Sequence, residues 1–249
     1  MDMAKIRLCV EHPLGQGQTV PLEREQAHYL FGVMRQGEGT LVALFNGRDG
    51  EWQAEVTSAG KRGGELICRS QSRAQSYPPD LWLLFAPIKK ARTDFIVEKA
   101  AEMGAAKIQP VQTDFTNAER IRRDRLQAHA VEAAEQCGAT HVAEVADLAK
   151  LDRLLADWPE DRQLMFCDEA FAEASYGTPD GAPRRLDEAP RGPWAILIGP
   201  EGGFSEAERR RLHNLPFAWP VQLGPRILRA DTAAVAALTL WQAQLGDWA

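Results

Sequence analysis

The sequence predicts an α/β protein in which a small β-rich part is followed by a larger part built on a parallel sheet. In residues 1–73, short apolar strands are separated by glycine turns such as Asn46-Gly47, a pattern typical of a small barrel. From residue 80 onward, continuous apolar strands alternate with helical segments, which indicates a parallel sheet covered on both faces.

A polar stretch separates the two patterns. Residues 71–80 contain two adjacent prolines and no large aliphatic side chain, as expected of a linker. We therefore expect a barrel domain at residues 1–73, a linker at residues 74–79 and a second domain at residues 80–249.

The individual elements follow from the spacing of apolar residues. Residues 23–35 are predicted to form a helix with one apolar face, made of Ala27, Leu30, Phe31 and Met34. The predicted strands are residues 40–45, 51–57, 65–69, 81–86, 107–111, 163–167, 194–198 and 221–223. The other predicted helices are residues 92–103, 122–136 and 231–245. The proline- and glycine-rich residues 171–193 are interpreted as a long loop or insertion.

Composition excludes several classes of protein. The 249 residues include 29 Lys and Arg against 35 Asp and Glu, which gives a net charge of −6. No run approaches the roughly 18 apolar residues of a membrane span. The first residues carry Lys5, Arg7 and Glu11 without an apolar segment, so we expect no signal peptide and a cytosolic protein. The acidic balance argues against unaided binding to bare nucleic acid, but it does not exclude a local basic surface.

The cysteines and histidines do not suggest a metal site. Four cysteines occur without a C-x-x-C pair, and the five histidines lack zinc-ligand spacing. We expect no metal and interpret the cysteines as buried thiols.

Residues 196–208 are the first candidate for a functional segment. An apolar strand runs into Gly199-Pro200-Glu201-Gly202-Gly203, and Ser205 with Glu208 has the spacing of a capping box that opens a helix. Glycines after a strand allow a ligand to approach the backbone closely. The loop has a carboxylate and no lysine, which disfavours a nucleoside triphosphate and suits a ligand with cationic or neutral donors. A tight turn that serves only the fold is the alternative.

Residues 223–233 are the second candidate. A predicted strand ends at Gly224, the loop carries Arg226 and Arg229, and Asp231 is positioned to cap the last helix. Open α/β sheets bind ligands at the carboxyl ends of their strands. A solvated Arg–Asp pair that stabilises the helix start explains the same residues equally well.

Together these segments resemble a known family. LIGPEGGFSEAE (residues 197–208) followed by LGPRILRADTAAVAAL (residues 223–238) is similar to the RsmE family of 16S ribosomal RNA (uridine-N3) methyltransferases, of the SPOUT superfamily. The similarity extends over nearly the whole chain. It includes residues 28–35 in a PUA-like N-terminal barrel, and Lys89 with residues 94–104, 108–110 and 135–138 in the second domain.

The resemblance implies a fold and an activity. The fold is a PUA-like barrel followed by a SPOUT α/β domain with a C-terminal trefoil knot. The activity is transfer of a methyl group from S-adenosyl-L-methionine to uridine N3 in 16S rRNA of the small ribosomal subunit. The resemblance also implies a homodimer, with a contact at the final helix, where Leu238, Leu240, Trp241 and Leu245 suit a buried monomer helix equally well.

The resemblance also implies roles for individual residues. Arg229 is the expected catalytic residue, as a donor to the uracil carbonyl oxygens. The expected cofactor-binding residues are Phe166, Cys167, Gly199, Pro200, Glu201, Gly202, Leu223, Gly224, Ile227 and Leu228. The candidate RNA-binding residues are Arg7, His28, Arg35, Lys89 and Arg92. Packing and helix-end roles explain His28 and Arg35 equally well.

The chain departs from the family pattern at three places. Ala139 and Phe115-Thr116-Asn117 stand where the family usually has arginine-containing motifs, and Asp231 stands where it usually has Glu. The missing arginines affect the expected grip on RNA more than cofactor binding. The arginine clusters at residues 120–125 and 209–211 are interpreted as solvated helix faces.

Two other functions remain open on the sequence. One is a SPOUT methyltransferase that acts on a different RNA or on a ribose 2′-hydroxyl. The other is a non-catalytic RNA-binding assembly factor that keeps the fold without turnover. The sequence assigns neither the exact target nucleotide nor the group that accepts the N3 proton.

Overall fold

The computed structural model describes residues 4–60, 62–118, 120–171 and 183–249. The chain divides into two compact units, of which the first combines Met1–Tyr77 with Ala134–Val142 and the second combines Pro78–Ala133 with Ala143–Ala249. The first unit is therefore discontinuous in sequence, which a linear division at residues 74–79 does not describe. Most of the loop expected at residues 171–193 lies outside the described residues.

The first unit contains a five-stranded sheet with the order β1-β3-β4-β5-β2. Its strands are β1 (Arg7–Cys9), β2 (Thr19–Pro21), β3 (Leu41–Phe45), β4 (Glu51–Gly60) and β5 (Gly63–Arg73). β1 pairs with β3 in parallel, and the other pairs are antiparallel. Leu30, Leu44 and Leu66 are fully buried in its core.

The predicted helix at residues 23–35 is shorter and changes type within its length. α1 (Arg24–Ala27) continues as a π-helix over His28–Val33. The amide of Met34 accordingly donates to the carbonyl of Tyr29, five residues earlier, at 2.9 Å. This wider turn moves Met34 off the expected apolar face, and its side chain is exposed.

The second unit is built on a seven-stranded sheet in which every pair is parallel. The order is β12-β10-β11-β6-β7-β8, and β9 also pairs with β7. The strands are β6 (Leu81–Phe85), β7 (Lys107–Gln112), β8 (Glu144–Val145), β9 (Ala149–Lys150), β10 (Gln163–Cys167), β11 (Trp194–Ile198) and β12 (Ala218–Val221). The parallel sheet predicted from the apolar strands is confirmed.

Five helices accompany this sheet in the described part of the second unit. They are α2 (Lys90–Glu102), α3 (Arg123–Cys137), α4 (Leu151–Ala156), α5 (Glu206–His213) and α6 (Ala230–Gln244), and a short 3-10 helix covers Leu186–Glu188. The last turn of α3 belongs to the first unit. No helix in the described ranges is long and apolar enough to cross a membrane.

Both faces of the parallel sheet are covered. Successive strand residues point to opposite faces, yet neighbours such as Leu83 and Leu84 are both fully buried. On one face Leu84 and Leu197 pack with Phe204 and other residues in a single apolar cluster. Strands buried on both faces read as continuous apolar runs, which is why the sequence revealed them.

Arg7 has a structural role that the sequence did not reveal. Its guanidinium donates to Glu51 Oε2 at 2.7 Å and to the carbonyls of Ala134, Glu135 and Ala139 at 2.6, 2.8 and 2.7 Å. The last carbonyls of a helix lack partners within the helix and favour a nearby cation. The structure thus gives Arg7 the role of capping the end of α3, while its contact with RNA stays a prediction.

Glu51 is the acidic partner of this cap. Burial alone would raise its pKa, but hydrogen bonds from Arg73, Arg7 and Ser72 outweigh burial and lower the pKa from 4.5 to about 2. The charged form of Glu51 therefore contributes stability above pH 4.5, and this contribution is lost as the pH falls toward 2.

We expect Glu51→Gln to destabilise the first unit at neutral pH, because Arg7 and Arg73 lose a buried anion. The difference from the wild type should shrink as the pH falls from 4.5 toward 2. Amide hydrogen exchange in β3 and β4 across this pH range measures both effects. Glu55→Gln on the same strand, where the ion pair with Arg69 is exposed, is the control. Equal pH dependence of the two variants would contradict the assignment.

Candidate functional site

A cavity of about 420 Å³ opens at one edge of the parallel sheet. Its wall is formed by the last residues of β10, β11 and β12 and by residues that follow these strands and β6, four strands that are neighbours in the sheet. Because these strands are parallel, their carboxyl ends meet at the same edge, although the loops are far apart in sequence. The cavity lies entirely within the second unit.

Most of the residues expected to hold a cofactor lie on this wall. They are Cys167, Gly199, Pro200, Glu201, Leu223, Gly224, Ile227 and Leu228. Phe166 does not line the cavity, because its ring is fully buried and packs edge-on against Phe204 with ring centroids 5.2 Å apart. Gly202 also lies off the wall, in a turn beside Phe115.

The glycine-rich loop leads into α5 through the predicted capping box. Ser205 Oγ accepts from the amide of Glu208 at 3.2 Å, and Glu208 accepts from the amide of Ser205 at 3.0 Å. Gly203 adopts a φ of 69°, and a Cβ at this position would collide with Glu169 Oε1. Glycine is therefore required where the loop passes the carboxylate of Glu169.

A buried carboxylate anchors the loop after β10. The Asp168 side chain is fully buried, accepts from Arg209 Nε at 3.1 Å and lies 2.8 Å from His213 Nε2. Arg209 also donates to Glu169 Oε1 at 3.1 Å. Arg209 is thus an internal partner of two cavity carboxylates, which corrects its interpretation as part of a solvated helix face.

Cys167 is not a nucleophile in this cavity. Its side chain is buried, and burial together with the charges of Asp168 and Glu169 raises the pKa of the thiol far above its usual value. The thiol therefore stays neutral, whereas a nucleophilic cysteine needs a stabilised thiolate.

The positive charges on the wall differ in their partners. Arg92 lies between two carboxylates, 3.4 Å from Glu201 and 3.7 Å from Asp231. Arg229 is exposed and forms no ion pair with any described residue. Arg229, and not Asp231 as expected, is the N-cap residue of α6.

The remaining candidate residues are divided between the two units. Lys89 lines the cavity as the N-cap residue of α2. His28 and Arg35 lie in the first unit, where both are exposed at the π-helix and Arg35 has a positive φ of 54°. A non-glycine residue in this conformation is uncommon and is enriched at functional positions.

Two wall residues were not expected to bind the cofactor. Glu169 was not predicted, and Arg226 was noted in its loop but given no role, yet both line the cavity. Their position immediately after a strand or within the arginine-containing loop was the available signal. The alternation of side chains along β10 could likewise have excluded Phe166, because its side chain points into the apolar cluster.

Two family models match the chain. An RNA methyltransferase domain matches residues 75–242, and an RNA methyltransferase PUA domain matches residues 22–67. The first match covers more than half of the chain and includes every residue of the cavity wall.

Individual relatives match over nearly their whole length. Ribosomal RNA small subunit methyltransferase E of Buchnera aphidicola subsp. Schizaphis graminum is 25% identical over 97% of each chain. The protein of the same name from Bacillus subtilis is 28% identical over 90% of each chain.

Solved structures agree with these matches. Ribosomal RNA small subunit methyltransferase E from Neisseria gonorrhoeae, bound to S-adenosyl methionine, superposes with a TM-score of 0.85 and 26% identity over 98% of this chain and 99% of its own. A Legionella pneumophila protein in complex with the same cofactor superposes with a TM-score of 0.83 and 28% identity over 98% of this chain and 100% of its own.

The matches confirm the resemblance to the RsmE family and the SPOUT-type fold with a PUA-like domain, while the knot stays a prediction. The chain belongs to the RNA methyltransferase domain family and has the PUA domain of those methyltransferases.

Proposed function

We propose that this protein transfers the methyl group of S-adenosyl-L-methionine to N3 of a uridine in 16S rRNA of the small ribosomal subunit. The observation that carries the proposal is the exposed Arg229 at the wall of a cavity in which the segments after four parallel strands converge. The similarity to ribosomal RNA small subunit methyltransferase E enzymes supplies the substrate.

The cavity fits the proposed cofactor in size and chemistry. Its volume of about 420 Å³ is within the range of small-molecule sites. Ile198, Val221 and Leu223 offer apolar surface for an adenine ring, while Glu169 and Glu201 offer carboxylates for cationic groups. S-adenosyl-L-methionine, when bound, supplies an electrophilic methyl group on a positively charged sulfur.

The residues of the chain contribute mainly by positioning. Arg229 is available to donate to the uracil carbonyl oxygens as negative charge develops on the base, since none of the described carboxylates holds it. N3 lies on the Watson–Crick edge of uracil, so the target base must be unpaired before it reaches Arg229. The well-anchored loops keep the two reactants aligned, which supplies much of the rate of a simple group transfer.

RNA contacts outside the cavity are also proposed. Lys89 and Arg92 lie at the cavity wall, and His28 and Arg35 are exposed on the first unit. The protein would act in the cytoplasm, where ribosomal subunits are assembled.

We further propose a homodimer, on the resemblance to SPOUT proteins. Leu238 and Trp241 are already buried within the single chain, so Leu240 of α6 and Leu245 at its C-cap, which are partly exposed, are left to contribute to a contact. Sedimentation at micromolar concentration tests the dimer, and a monomer would contradict it.

The first experiment measures methyl transfer from labelled S-adenosyl-L-methionine to small subunits from a strain that lacks the gene, followed by nucleoside analysis. Labelled 3-methyluridine is the expected product. Label in another nucleoside or on a ribose would contradict the proposed target, although the assigned fold and cofactor would still stand. Binding to subunits without any transfer would favour a non-catalytic assembly factor.

Arg229→Ala is expected to lower kcat by about 100-fold or more, with the affinity for S-adenosyl-L-methionine nearly unchanged, because it removes a donor that acts on the transition state. Single-turnover kinetics and calorimetric titration separate the two effects. Arg210→Ala, an exposed arginine on α5 outside the cavity, is the control. Near-normal turnover of Arg229→Ala would overturn the assigned role.

Gly203→Ala is expected to weaken binding of S-adenosyl-L-methionine by about tenfold, because the loop must leave its left-handed conformation or displace Glu169. Gly192→Ala tests backbone strain alone, since Gly192 also has a positive φ but no neighbouring atom within 4 Å of a Cβ. Calorimetric titration compares the variants. If Gly203→Ala bound S-adenosyl-L-methionine as tightly as the wild type, a role for the loop in cofactor binding would be contradicted.

A further inference from the structure

Two further pockets in the second unit lie beside the loop between β7 and α3. The first has a volume of about 350 Å³ and is lined by basic residues, among them Lys90, Arg122 and Arg125. The second has a volume of about 660 Å³ and is lined by Lys150 and Arg153, among others. Arg120 and Ile121 line both pockets, so the two adjoin along this loop.

The first of these pockets shares a segment of the chain with the cofactor cavity. Residues 87–92 contribute Pro87, Ile88 and Lys90 to the pocket and Lys89 and Arg92 to the cavity. The pocket and the cavity are therefore neighbours along the chain at the start of α2. We call the six basic residues of the two pockets the basic groove: Lys90, Arg120, Arg122, Arg125, Lys150 and Arg153.

The basic groove is positive although the protein as a whole is acidic. Among the described residues that line the two pockets, only Asp94 and Asp147 are acidic. Arg125 is paired with Asp94, and Arg122 with Asp124 at 3.0 Å. The other four basic residues are exposed and form no ion pair with a described residue. Four cations without an ion pair to any described residue, in a chain of net charge −6, suit a polyanion.

An exposed aromatic ring lies in the loop between β7 and α3, next to the glycine-rich loop. Phe115 lies in this loop and is 48% exposed. A Cβ added to Gly202 of the glycine-rich loop would lie 3.5 Å from the Cβ of Phe115. A large apolar side chain left in solvent at this position offers a face on which a nucleobase can stack.

The backbone on either side of Phe115 is fixed. The amide of Asp114 donates to Glu208 Oε1 at 2.8 Å, and Ser205 Oγ donates to Asp114 Oδ2 at 2.6 Å. The amide of Thr113 donates to Thr116 Oγ1 at 2.9 Å. The exposure of Phe115 is therefore built into the loop, which ties it to the start of α5 and hence to the cofactor site.

We propose that the basic groove binds the phosphates of the RNA strand next to the target nucleotide, and that Phe115 stacks on a base of this strand. Proteins that bind single-stranded RNA combine these two features, a positive groove that follows the backbone and aromatic side chains for the bases. The inference rests on the proposed function for the identity of the target, but strand binding itself requires no turnover.

The test compares two triple variants with equal change in charge. Arg120→Ala/Lys150→Ala/Arg153→Ala removes free cations of the basic groove, and Arg185→Ala/Arg191→Ala/Arg210→Ala removes exposed arginines elsewhere in the same unit. Fluorescence anisotropy measures binding of a single-stranded RNA of about 12 nucleotides at several salt concentrations. Binding of S-adenosyl-L-methionine reports whether each variant keeps its fold.

The groove triple should lose at least tenfold in RNA affinity at low salt, while the control triple stays near the wild type. Each phosphate contact on a single strand contributes about 0.7 to the slope of log affinity against log salt, so three lost contacts reduce the slope by about 2. The proposal would be overturned if both triple variants lost RNA affinity equally or if neither lost any. It would also be overturned if the wild type bound no RNA at low salt.

Phe115 provides an independent readout. Phe115→Ala should lower RNA affinity by about tenfold or more without changing the salt slope, and Phe115→Trp should restore it. An unchanged affinity of Phe115→Ala, or failure of Trp to restore it, would overturn the stacking role. If the wild type binds RNA through the basic groove but forms no 3-methyluridine on ribosomal subunits, the proposed target is wrong and the proposal that the groove binds RNA is retained.

Discussion

The common direction of β12, β10, β11 and β6 is the constraint on which the candidate site depends. Backbone pairing holds these strands side by side and parallel, so the segments that follow them emerge at one edge. The strands themselves are buried on both faces and have no room for polar side chains that act on a ligand. Most polar groups of the cavity therefore come from segments that follow a strand, and segments distant in sequence act together.

The arrangement of charges separates internal partners from available ones. Asp168 is buried and satisfied by Arg209 and His213, so it acts as an anchor of the loop. Arg92 is shared between Glu201 and Asp231 and balances the two acids at the cavity wall. An arginine that matters for chemistry must remain outside such pairs, because a paired guanidinium has already committed its donors. This distinction separates Arg229 from Arg92, whereas Arg226, which is also exposed and forms no ion pair with a described residue, shares it.

The sequence predicted the parallel sheet well because buried parallel strands leave a strong signal. β10 and β11 have the predicted bounds, and the Ser205–Glu208 capping box forms as expected. β8, β9 and α4 were not predicted, since elements of two to six residues carry too little periodicity.

The errors at individual residues have a common cause in long-range or backbone effects. The switch from α- to π-helical turns after Ala27 leaves no signal in the spacing of apolar residues, yet it moves Met34 into solvent. Three of the hydrogen bonds of Arg7 are to residues more than 120 positions away, which no local pattern reveals. Most of the expected cofactor residues lie on the cavity wall because the family motifs specify loops, whereas Phe166 needed the side-chain alternation of its strand.

The inclusion of Ala134–Val142 in the first unit bears on the order in which the protein can fold during synthesis. The bonds from Arg7 to the end of α3 join residues 127 to 132 positions apart, and Ser76 likewise bonds to Thr140. At about 5–20 residues per second, the ribosome needs several seconds after Tyr77 to add these partners. Until then, Glu51 faces Arg7 and Arg73 without the helix end that Arg7 caps. The N-terminal unit, although made first, is thus completed only after β6, α2 and β7 have left the ribosome.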